Sequence, residues 1–331
     1  MSVGTGAAIF GCAGPRLLPE ERSFFREADP FGFILFARNV EDPAQLSRLT
    51  ADLRDAVGRE APVLVDQEGG RVQRLRAPHW RDWTPPLDTV DAAGSVASAA
   101  RQMRLRAMVI AAELAAVGIG ADCIPTLDVV RPATHPFLMN RCYGRDPDSV
   151  AQIGRAVAEG LMAGGVLPGM KHMPGHGLSH VDTHHDLPTV TVSRDELQAV
   201  DFAPFRALAD LPMAMTAHLV FAAIDPDRPA TQSPEMIRLI REEIGFRGLL
   251  MSDDLNMQAL SGTLAERTAR TIAAGVDIAL HCKGDMAEMV EVAGAAGTMG
   301  SETRARAAAA LAARQAGQVD VKAALAELAH G

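Results

Sequence analysis

The sequence predicts a single-domain α/β protein with the architecture of a (β/α)8 barrel. Short apolar runs alternate with longer amphipathic segments, an order typical of parallel sheets whose strands are joined by helices. Eight runs favour a closed barrel over an open doubly wound sheet, and no G-x-G-x-x-G segment follows the first run. The length of 331 residues suits one barrel. The predicted strands are Ala7–Phe10, Gly32–Phe36, Pro62–Val65, Gly120–Ile124, Leu167–Met170, Met213–Ala217, Leu249–Met251 and Asp277–Leu280.

Segments with helical periodicity lie between these strands. The Ala- and Arg-rich segment Glu302–Ala329 predicts a terminal helix that packs against the outside of the barrel. One domain therefore spans residues 1–331, with a helical tail at about 300–331. The predicted helices are Ala44–Val57, Val96–Val117, Ser149–Ala163, Arg194–Leu208, Pro234–Ile244 and Leu264–Ala274.

Composition narrows the class of protein. Apolar residues make up 48% of the chain, enough for a large core, and the net charge is −9 without any Lys/Arg-rich run, which argues against nucleic-acid binding. The start of the chain does not resemble a signal peptide, and the most apolar stretch, Met108 to Ile124, is too short to span a bilayer. Four scattered cysteines are expected to be free thiols. We therefore expect a cytoplasmic monomer that contacts neither membrane nor nucleic acid.

Ionisable side chains follow six of the predicted strands. The carboxyl ends of the strands of a parallel barrel meet at one face, where barrel enzymes carry their active sites. One charged residue after a strand is usually a solvated loop residue, whereas six indicate a shared polar pocket. These residues are Asp66, Asp128, Lys171 with His172, His218, Asp253 with Asp254, and His281.

The segment from Lys171 to Pro188 is the densest in such groups, with five histidines within fourteen residues. It could hold a metal ion or carry protons, but its spacing does not match compact zinc patterns such as H-E-x-x-H. Asp182 and His184 are two residues apart, so in extended backbone both point to the same side and the carboxylate can orient the imidazole. The alternative is an aspartate that caps its own loop. A carboxylate at Asp253 suits attack on a glycosidic carbon.

Five motifs in the same order resemble the glycoside hydrolase family 3 β-N-acetylglucosaminidases. The resemblance covers roughly residues 5 to 285. Smaller signs that agree are Gly32–Asn39 and Ala273–Leu280. The five motifs are Val65 to Arg74 (VDQEGGRVQR), Asn140-Arg141 before Asp146-Pro147, Lys171 to Gly177 (KHMPGHG), Asp182-Thr183-His184, and Ser252 to Met257 (SDDLNM).

The resemblance implies a retaining exo-β-N-acetylglucosaminidase that uses neither a metal nor a cofactor. Asp253 would be the nucleophile, and His184, oriented by Asp182, the acid and base. Bacterial members typically release N-acetylglucosamine from β-1,4-linked muropeptides of the GlcNAc-anhydroMurNAc type during cytoplasmic peptidoglycan recycling. The implied sugar-binding residues are Asp66, Arg74, Arg141, Lys171 and His172.

The chain departs from the family pattern at a few positions in the histidine-rich segment. Met173 replaces the commoner Phe and Thr183 the usual Ser, both conservatively, while Leu178-Ser179-His180 differs from the usual Gly-Asp-Thr. His185 and Asp186 are further candidates for the proton relay.

Several other readings stay open. Within the family, the sequence is also consistent with a β-glucosidase or a phosphorylase. Outside the family, it is consistent with a metal-dependent hydrolase or a non-catalytic sugar-binding protein. Asp254 is expected to bond nearby backbone, and Glu68 to anchor the turn at Gly69-Gly70. His176 and His218 are expected to line the pocket or satisfy loop backbone.

Overall fold

A computed structural model describes residues 2–179 and 187–330, and it shows the predicted barrel. Each of the eight predicted strands is present, with ends that differ by a few residues. The described strands, in chain order, are β1 (Gly6–Phe10), β2 (Pro30–Leu35), β3 (Val63–Val65), β4 (Ala121–Asp122), β5 (Leu167–Met173), β6 (Thr189–Val190), β7 (Met213–Thr216), β8 (Val220–Phe221), β9 (Asp225–Pro229), β10 (Leu249–Asp254) and β11 (Ile278–His281).

The barrel closes through parallel pairing in the order β1-β11-β10-β7-β5-β4-β3-β2. Strands such as β2 and β5 are buried along their whole length, because helices cover the outside and side chains fill the inside. Two-sided burial explains why these strands appear in the sequence as continuous apolar runs. The sequence did not predict a small second sheet, ordered β6-β8-β9, which is formed by the connections that follow β5 and β7.

Helices surround the barrel, and local signals set several of their ends. Asp42 accepts a hydrogen bond from the Gln45 N–H at 2.8 Å, Pro43 begins the helix, and Gly58 ends it with a φ of 63°. The helices are α1 (Pro19–Ala28), α2 (Pro43–Val57), α3 (Pro86–Ala92), α4 (Val96–Ala116), α5 (Pro136–Met139), α6 (Pro147–Ala163), α7 (Arg194–Glu196), α8 (Ala203–Ala207), α9 (Pro234–Glu242), α10 (Leu264–Ala273), α11 (Met286–Ala296), α12 (Ser301–Ala312) and α13 (Val321–Leu328).

The single helix predicted over Arg194–Leu208 is interrupted. A π-helical turn at Leu197–Asp201 separates α7 from α8. This wider turn presents the buried Asp201 carboxylate to Arg131 Nη1 at 2.9 Å, and the main chain of Asp201 packs closely against Gly175. Tertiary contacts at Asp201 therefore override the helical periodicity that the sequence shows.

The tail consists of two helices rather than the one predicted. Gly317 lies so close to the main chain of Gly164 that a side chain there would collide with it, and this contact holds the chain between α12 and α13 in a loop. Asp320 then caps α13 by accepting from the Ala323 N–H at 2.9 Å. The tail packs on the outside of the barrel as expected, with Ala324 buried against α4.

The structure also bears on the cysteines and on membrane-spanning helices. All four cysteines are free, as predicted; Cys282 is half-buried and the other three are buried. None of the helices formed by residues 2–179 and 187–330 has the length and apolarity needed to cross a membrane.

Candidate active site

A pocket lies at the carboxyl ends of the barrel strands, where the sequence places the site. The proposed nucleophile and all five proposed sugar-binding residues line it together with an apolar wall that includes Phe36, Phe137 and Met257. These residues come from distant parts of the chain and meet here because the carboxyl ends of all strands of a parallel barrel lie at one face. The six site residues in the lining are Asp66, Arg74, Arg141, Lys171, His172 and Asp253.

Two carboxylates hold the three cations of the pocket. Lys171 Nζ lies 2.7 Å from Asp66 Oδ1 and 2.6 Å from Glu68 Oε1. Arg74 Nη2 contacts Asp66 Oδ2 at 3.0 Å. Arg141 donates to both oxygens of Glu68, from Nε at 2.8 Å and from Nη2 at 2.7 Å. The cationic side chains are thereby fixed in position before any ligand binds.

These contacts keep both carboxylates, Lys171 and Arg141 charged. Burial alone would raise the pKa of Asp66, but Lys171 and Arg74 hold it well below its ordinary value. Burial likewise opposes the charge on Glu68, yet Arg141 and Lys171 lower its pKa to about 2. The same pairs raise the pKa of Lys171 and of Arg141 against the effect of burial.

Asp253 is the residue before the last of β10, and it lines the pocket. Its Oδ1 accepts a hydrogen bond from the Asp254 N–H at 2.8 Å. Burial acts to raise its pKa, but His218, His172 and the Asp254 N–H together lower it. Asp253 is therefore an ionised carboxylate at neutral pH, as a nucleophile must be.

Asp254 has a different environment although it also borders the pocket. Its Oδ1 accepts from the backbone N–H groups of Asn256 at 3.2 Å and Cys282 at 3.1 Å, as the sequence predicts for a backbone-bonding role. Burial, together with the negative charge of Asp253, raises its pKa. Its carbonyl oxygen accepts from His218 Nε2 at 3.1 Å, and His218 Nδ1 contacts Thr231 Oγ1 at 2.8 Å. These bonds hold the end of β10 and so orient Asp253.

Asp128 and His172 form an Asp–His pair at the pocket, in which His172 belongs to the lining. The buried Asp128 carboxylate contacts His172 Nδ1 at 2.7 Å through Oδ2. Its Oδ1 accepts from the backbone N–H of His172 at 3.2 Å and of His176 at 2.7 Å. The loop can approach this closely because Gly177 has no side chain, where a Cβ would collide with the Val129 oxygen.

Asp122 lies buried behind the charge network. Its Oδ1 accepts from the Gln67 N–H at 2.9 Å, and its Oδ2 has no hydrogen-bond partner among the described residues. Burial raises its pKa to about 8, and the negative charges of Asp66 and Glu68 add to the effect. Asp122 is therefore largely protonated at neutral pH.

Asp182 and His184, the proposed acid/base pair, lie outside the described residues, as do His180, His185 and Asp186. Ser179, the last described residue before this segment, lines the pocket. His176, which also borders the pocket, has its pKa lowered to about 3, chiefly by burial and by its neighbour His172.

Two contacts of the site are not predicted by the sequence. Glu68 was expected only to anchor the Gly69-Gly70 turn, yet its side chain holds Arg141 and Lys171. Its spacing from Asp66, two residues along an extended segment, is a signal that could have indicated a shared face. The end of its strand predicts Asp128 in the pocket, but the structure buries it beside the lining residue His172, a partner that nothing in the sequence indicates.

A (β/α)8 barrel with an ionised carboxylate and fixed hydrogen-bonding cations at its carboxyl-end face has the architecture of sugar-cleaving barrel hydrolases. The chain matches the glycosyl hydrolase family 3 N-terminal domain over residues 19–313. It belongs to that family, and it is a glycoside hydrolase.

Curated relatives and solved structures agree with this assignment. The chain is 36% identical over 287 residues to a beta-hexosaminidase of Neisseria meningitidis serogroup C, covering 84% of this chain and 78% of the relative. It is 34% identical over 286 residues to a beta-hexosaminidase of Nitrosomonas eutropha, covering 84% and 80%. Native NagZ of Neisseria gonorrhoeae superposes with a TM-score of 0.85 at 31% identity, covering 99% of this chain and 98% of that one.

A complex of the same gonococcal protein contains N-trifluoroacetyl-D-glucosamine, also at a TM-score of 0.85 and 31% identity, with 99% of this chain and 98% of that chain covered. A family 3 β-N-acetylglucosaminidase from a Paenibacillus species superposes with a TM-score of 0.82 at 30% identity, covering 98% of this chain and 62% of the longer protein.

Proposed function

We propose that this chain is a retaining exo-β-N-acetylglucosaminidase. Its class, a glycoside hydrolase of the β-N-acetylhexosaminidase type, agrees with the names of its curated relatives. The observation that carries the proposal is the gathering of Asp253 and the five sugar-binding candidates in one pocket at the carboxyl ends of the strands. An ionised carboxylate beside fixed hydrogen-bond donors is what cleavage of a glycosidic bond requires.

In the proposed mechanism, the Asp253 carboxylate attacks the anomeric carbon. The bond from this carbon to the leaving oxygen breaks, and that oxygen takes a proton from His184, forming a glycosyl-enzyme. In the second step His184 removes a proton from water, the water oxygen attacks the same carbon, and the bond to Asp253 breaks. Two inversions at one carbon give overall retention.

The charged network supplies the sugar-binding groups. Asp66 accepts hydrogen bonds from sugar hydroxyls, whereas Arg74, Arg141 and Lys171 donate to hydroxyls and to the N-acetyl carbonyl. In our proposal His172 binds another hydroxyl. The ion pairs fix these groups before the sugar binds. Binding therefore costs the entropy of the sugar but not the additional entropy of ordering long side chains.

The role of the Asp182–His184 pair is supported by chain reach. Ser179 lines the pocket, and His184 follows five residues later, so the intervening chain spans at most about 17 Å. A histidine can serve as the proton donor because imidazole titrates near neutral pH. Asp182 would hold its tautomer and raise its basicity.

For the natural substrate we propose terminal N-acetylglucosamine on β-1,4-linked muropeptides of the GlcNAc-anhydroMurNAc type, removed during peptidoglycan recycling. A solved relative holds an N-acylated glucosamine, N-trifluoroacetyl-D-glucosamine, which supports recognition of the N-acyl sugar. Four free cysteines support a reducing compartment, and we propose that the enzyme acts in the cytoplasm as a monomer.

The test is hydrolysis of an aryl β-N-acetylglucosaminide compared with an aryl β-glucoside, with and without phosphate and a chelator. We expect a strong preference for the N-acetyl sugar that is insensitive to both additions. Dependence on phosphate would identify a phosphorylase, and preference for glucose a β-glucosidase. Loss of activity with chelator would instead identify a metal-dependent hydrolase, and inactivity on both sugars would favour a binding protein.

A further inference from the structure

Asp128 is buried beside the pocket and has no role in the mechanism above. It lies after β4, contacts His172 and the backbone of His176, and is fully enclosed. Burial acts to raise its pKa, but His172 and the His176 N–H hold it below the ordinary value. A buried carboxylate that stays ionised stabilises groups that donate hydrogen bonds to it.

The two neighbours of the His172 ring determine which nitrogen carries the proton. Asp128 Oδ2 lies 2.7 Å from Nδ1, and an ionised carboxylate can only accept, so Nδ1 must donate. On the other side Arg141 Nη2 lies 3.5 Å from Nε2, which is longer than a full hydrogen bond and leaves the lone pair available, while a guanidinium can only donate and so disfavours a proton on Nε2. Nε2 must therefore present its lone pair.

We propose that Asp128 is a positioning residue that fixes His172 as the Nδ1–H tautomer, so that Nε2 accepts a hydrogen bond from a hydroxyl of the bound sugar. The other polar groups of the pocket include three cationic donors, Arg74, Arg141 and Lys171. A neutral imidazole acceptor recognises a hydroxyl hydrogen without adding negative charge next to Asp253. The inference rests on the proposed function for its ligand, a neutral sugar.

Replacement of Asp128 by Asn tests the tautomer while preserving the shape of the side chain. Because the backbone N–H groups of His172 and His176 both point at Oδ1, the amide oxygen must occupy that position. The amide nitrogen then takes the place of Oδ2 and donates to Nδ1 of His172. The ring proton is forced onto Nε2, which can no longer accept from the sugar.

The tautomer is measured directly by nitrogen NMR of uniformly labelled enzyme, with the His172 signals assigned by their loss in His172→Gln. In the wild type we expect a protonated Nδ1 and an unprotonated Nε2, and in Asp128→Asn the reverse. A protonated Nε2 in the wild-type enzyme would overturn the proposal, whether or not the variant folds and whether or not the enzyme is active.

The kinetic arm uses an aryl β-N-acetylglucosaminide and its 3-deoxy, 4-deoxy and 6-deoxy analogues. We expect Asp128→Asn to lower kcat/KM by about tenfold, the contribution of one hydrogen bond. For one deoxy analogue the penalty of deoxygenation should shrink by about the same factor in the variant. A merely structural role would lower kcat/KM equally for every substrate, and that outcome would refute the inference.

Asp225→Asn is the matched control, since Asp225 is also buried and also accepts from a backbone N–H, that of Asp227 at 3.1 Å. Its partners Asp227 and Ser233 do not line the pocket, unlike the histidines that Asp128 contacts. This variant should leave the deoxy penalties unchanged, and a change in them would show that the readout is not specific to His172. Wild-type enzyme inactive on all four substrates would contradict the proposed function, while the NMR result would still decide the tautomer.

Discussion

Glu68 carries a negative charge that two buried cations share, and its replacement by Gln removes that charge while keeping the size of the side chain. The carboxylate binds Arg141 through both oxygens and Lys171 through one. In Glu68→Gln the amide oxygen, placed at the Oε1 position, can still accept from Arg141 Nη2 and Lys171, but the amide nitrogen then faces the Nε–H donor of Arg141. The buried network also loses one negative charge. At least one buried cation is left without compensation.

The magnitude follows from the proton equilibrium of Glu68. Its pKa falls from the ordinary 4.5 to about 2 in the folded protein. That difference is about 2.5 pH units, and at about 1.36 kcal/mol each it corresponds to a stabilisation on the order of 3 kcal/mol. Removing one partner of a buried ion pair costs about 3–5 kcal/mol in other proteins, which agrees. We expect Glu68→Gln to lower the free energy of unfolding by about 3 kcal/mol at pH 7.

The pH dependence has a definite sign. Because the pKa of Glu68 is lower in the folded than in the unfolded chain, its stabilisation is fully present above pH 4.5 and is lost as the pH falls towards 2. Urea unfolding of wild type and Glu68→Gln should therefore differ most near neutral pH, and the difference should shrink below pH 4.5. KM for the aryl glycoside should also rise, because Arg141 and Lys171 lose their fixed positions.

Glu235→Gln is the control for the substitution itself. Glu235 pairs with Arg238 on the exposed surface of α9, where both side chains are more than half exposed. Water and salt screen such an exposed pair, so it contributes little and this variant should unfold almost like the wild type. If Glu68→Gln also unfolds within about 1 kcal/mol of the wild type at pH 7, Glu68 does not stabilise the two cations as argued.

Three further outcomes are expected. Asp253→Asn should lower kcat by about 10⁴-fold or more with a normal unfolding transition, and near-normal turnover by the folded variant would reject Asp253 as nucleophile. His184→Ala should slow substrates with poor leaving groups more than activated aryl glycosides; equal losses on both would count against His184 as the acid. Burial raises the pKa of Asp122 to about 8, so its protonated form stabilises the fold at low pH and this contribution is lost as the pH rises through 8. Asp122→Asn should therefore gain stability relative to wild type in urea unfolding as the pH rises from 3.8 to about 8, and a constant difference over that range would contradict the raised pKa.

The barrel could be predicted because its strands are buried on both faces. Runs such as Leu249–Met251 are continuously apolar, and turns or loops separate them from amphipathic helices. The helix α1 (Pro19–Ala28) was missed, since it is short and five of its ten residues are charged. The broken segment Arg194–Leu208 was predicted wrongly because the contact of Asp201 with Arg131 involves residues 70 apart in the chain.

The position of the site could be predicted, but not which of its carboxylates pairs with which cation. Strand ends brought Asp66, Lys171 and Asp253 to one face by topology alone. Which carboxylate holds which cation depends on loop geometry between residues as far apart as Glu68 and Arg141, which are separated by 73 positions. Periodicity contains no information about such contacts. The charge balance of the pocket therefore emerges only from the structure.

That balance favours a neutral ligand over an anionic co-substrate. Three ionised carboxylates accompany the three cations that line the described part of the pocket; two of them belong to the lining and the third, Glu68, is buried beside it. Each cation already lies against a carboxylate. A neutral sugar needs directed hydrogen-bond donors and acceptors, and this arrangement supplies them while its positive and negative charges balance. An incoming phosphate needs an excess of positive charge to offset its own desolvation. Since the described residues provide no such excess, water suits this pocket better than phosphate as the attacking group. The six groups are Asp66, Glu68, Asp253, Arg74, Arg141 and Lys171.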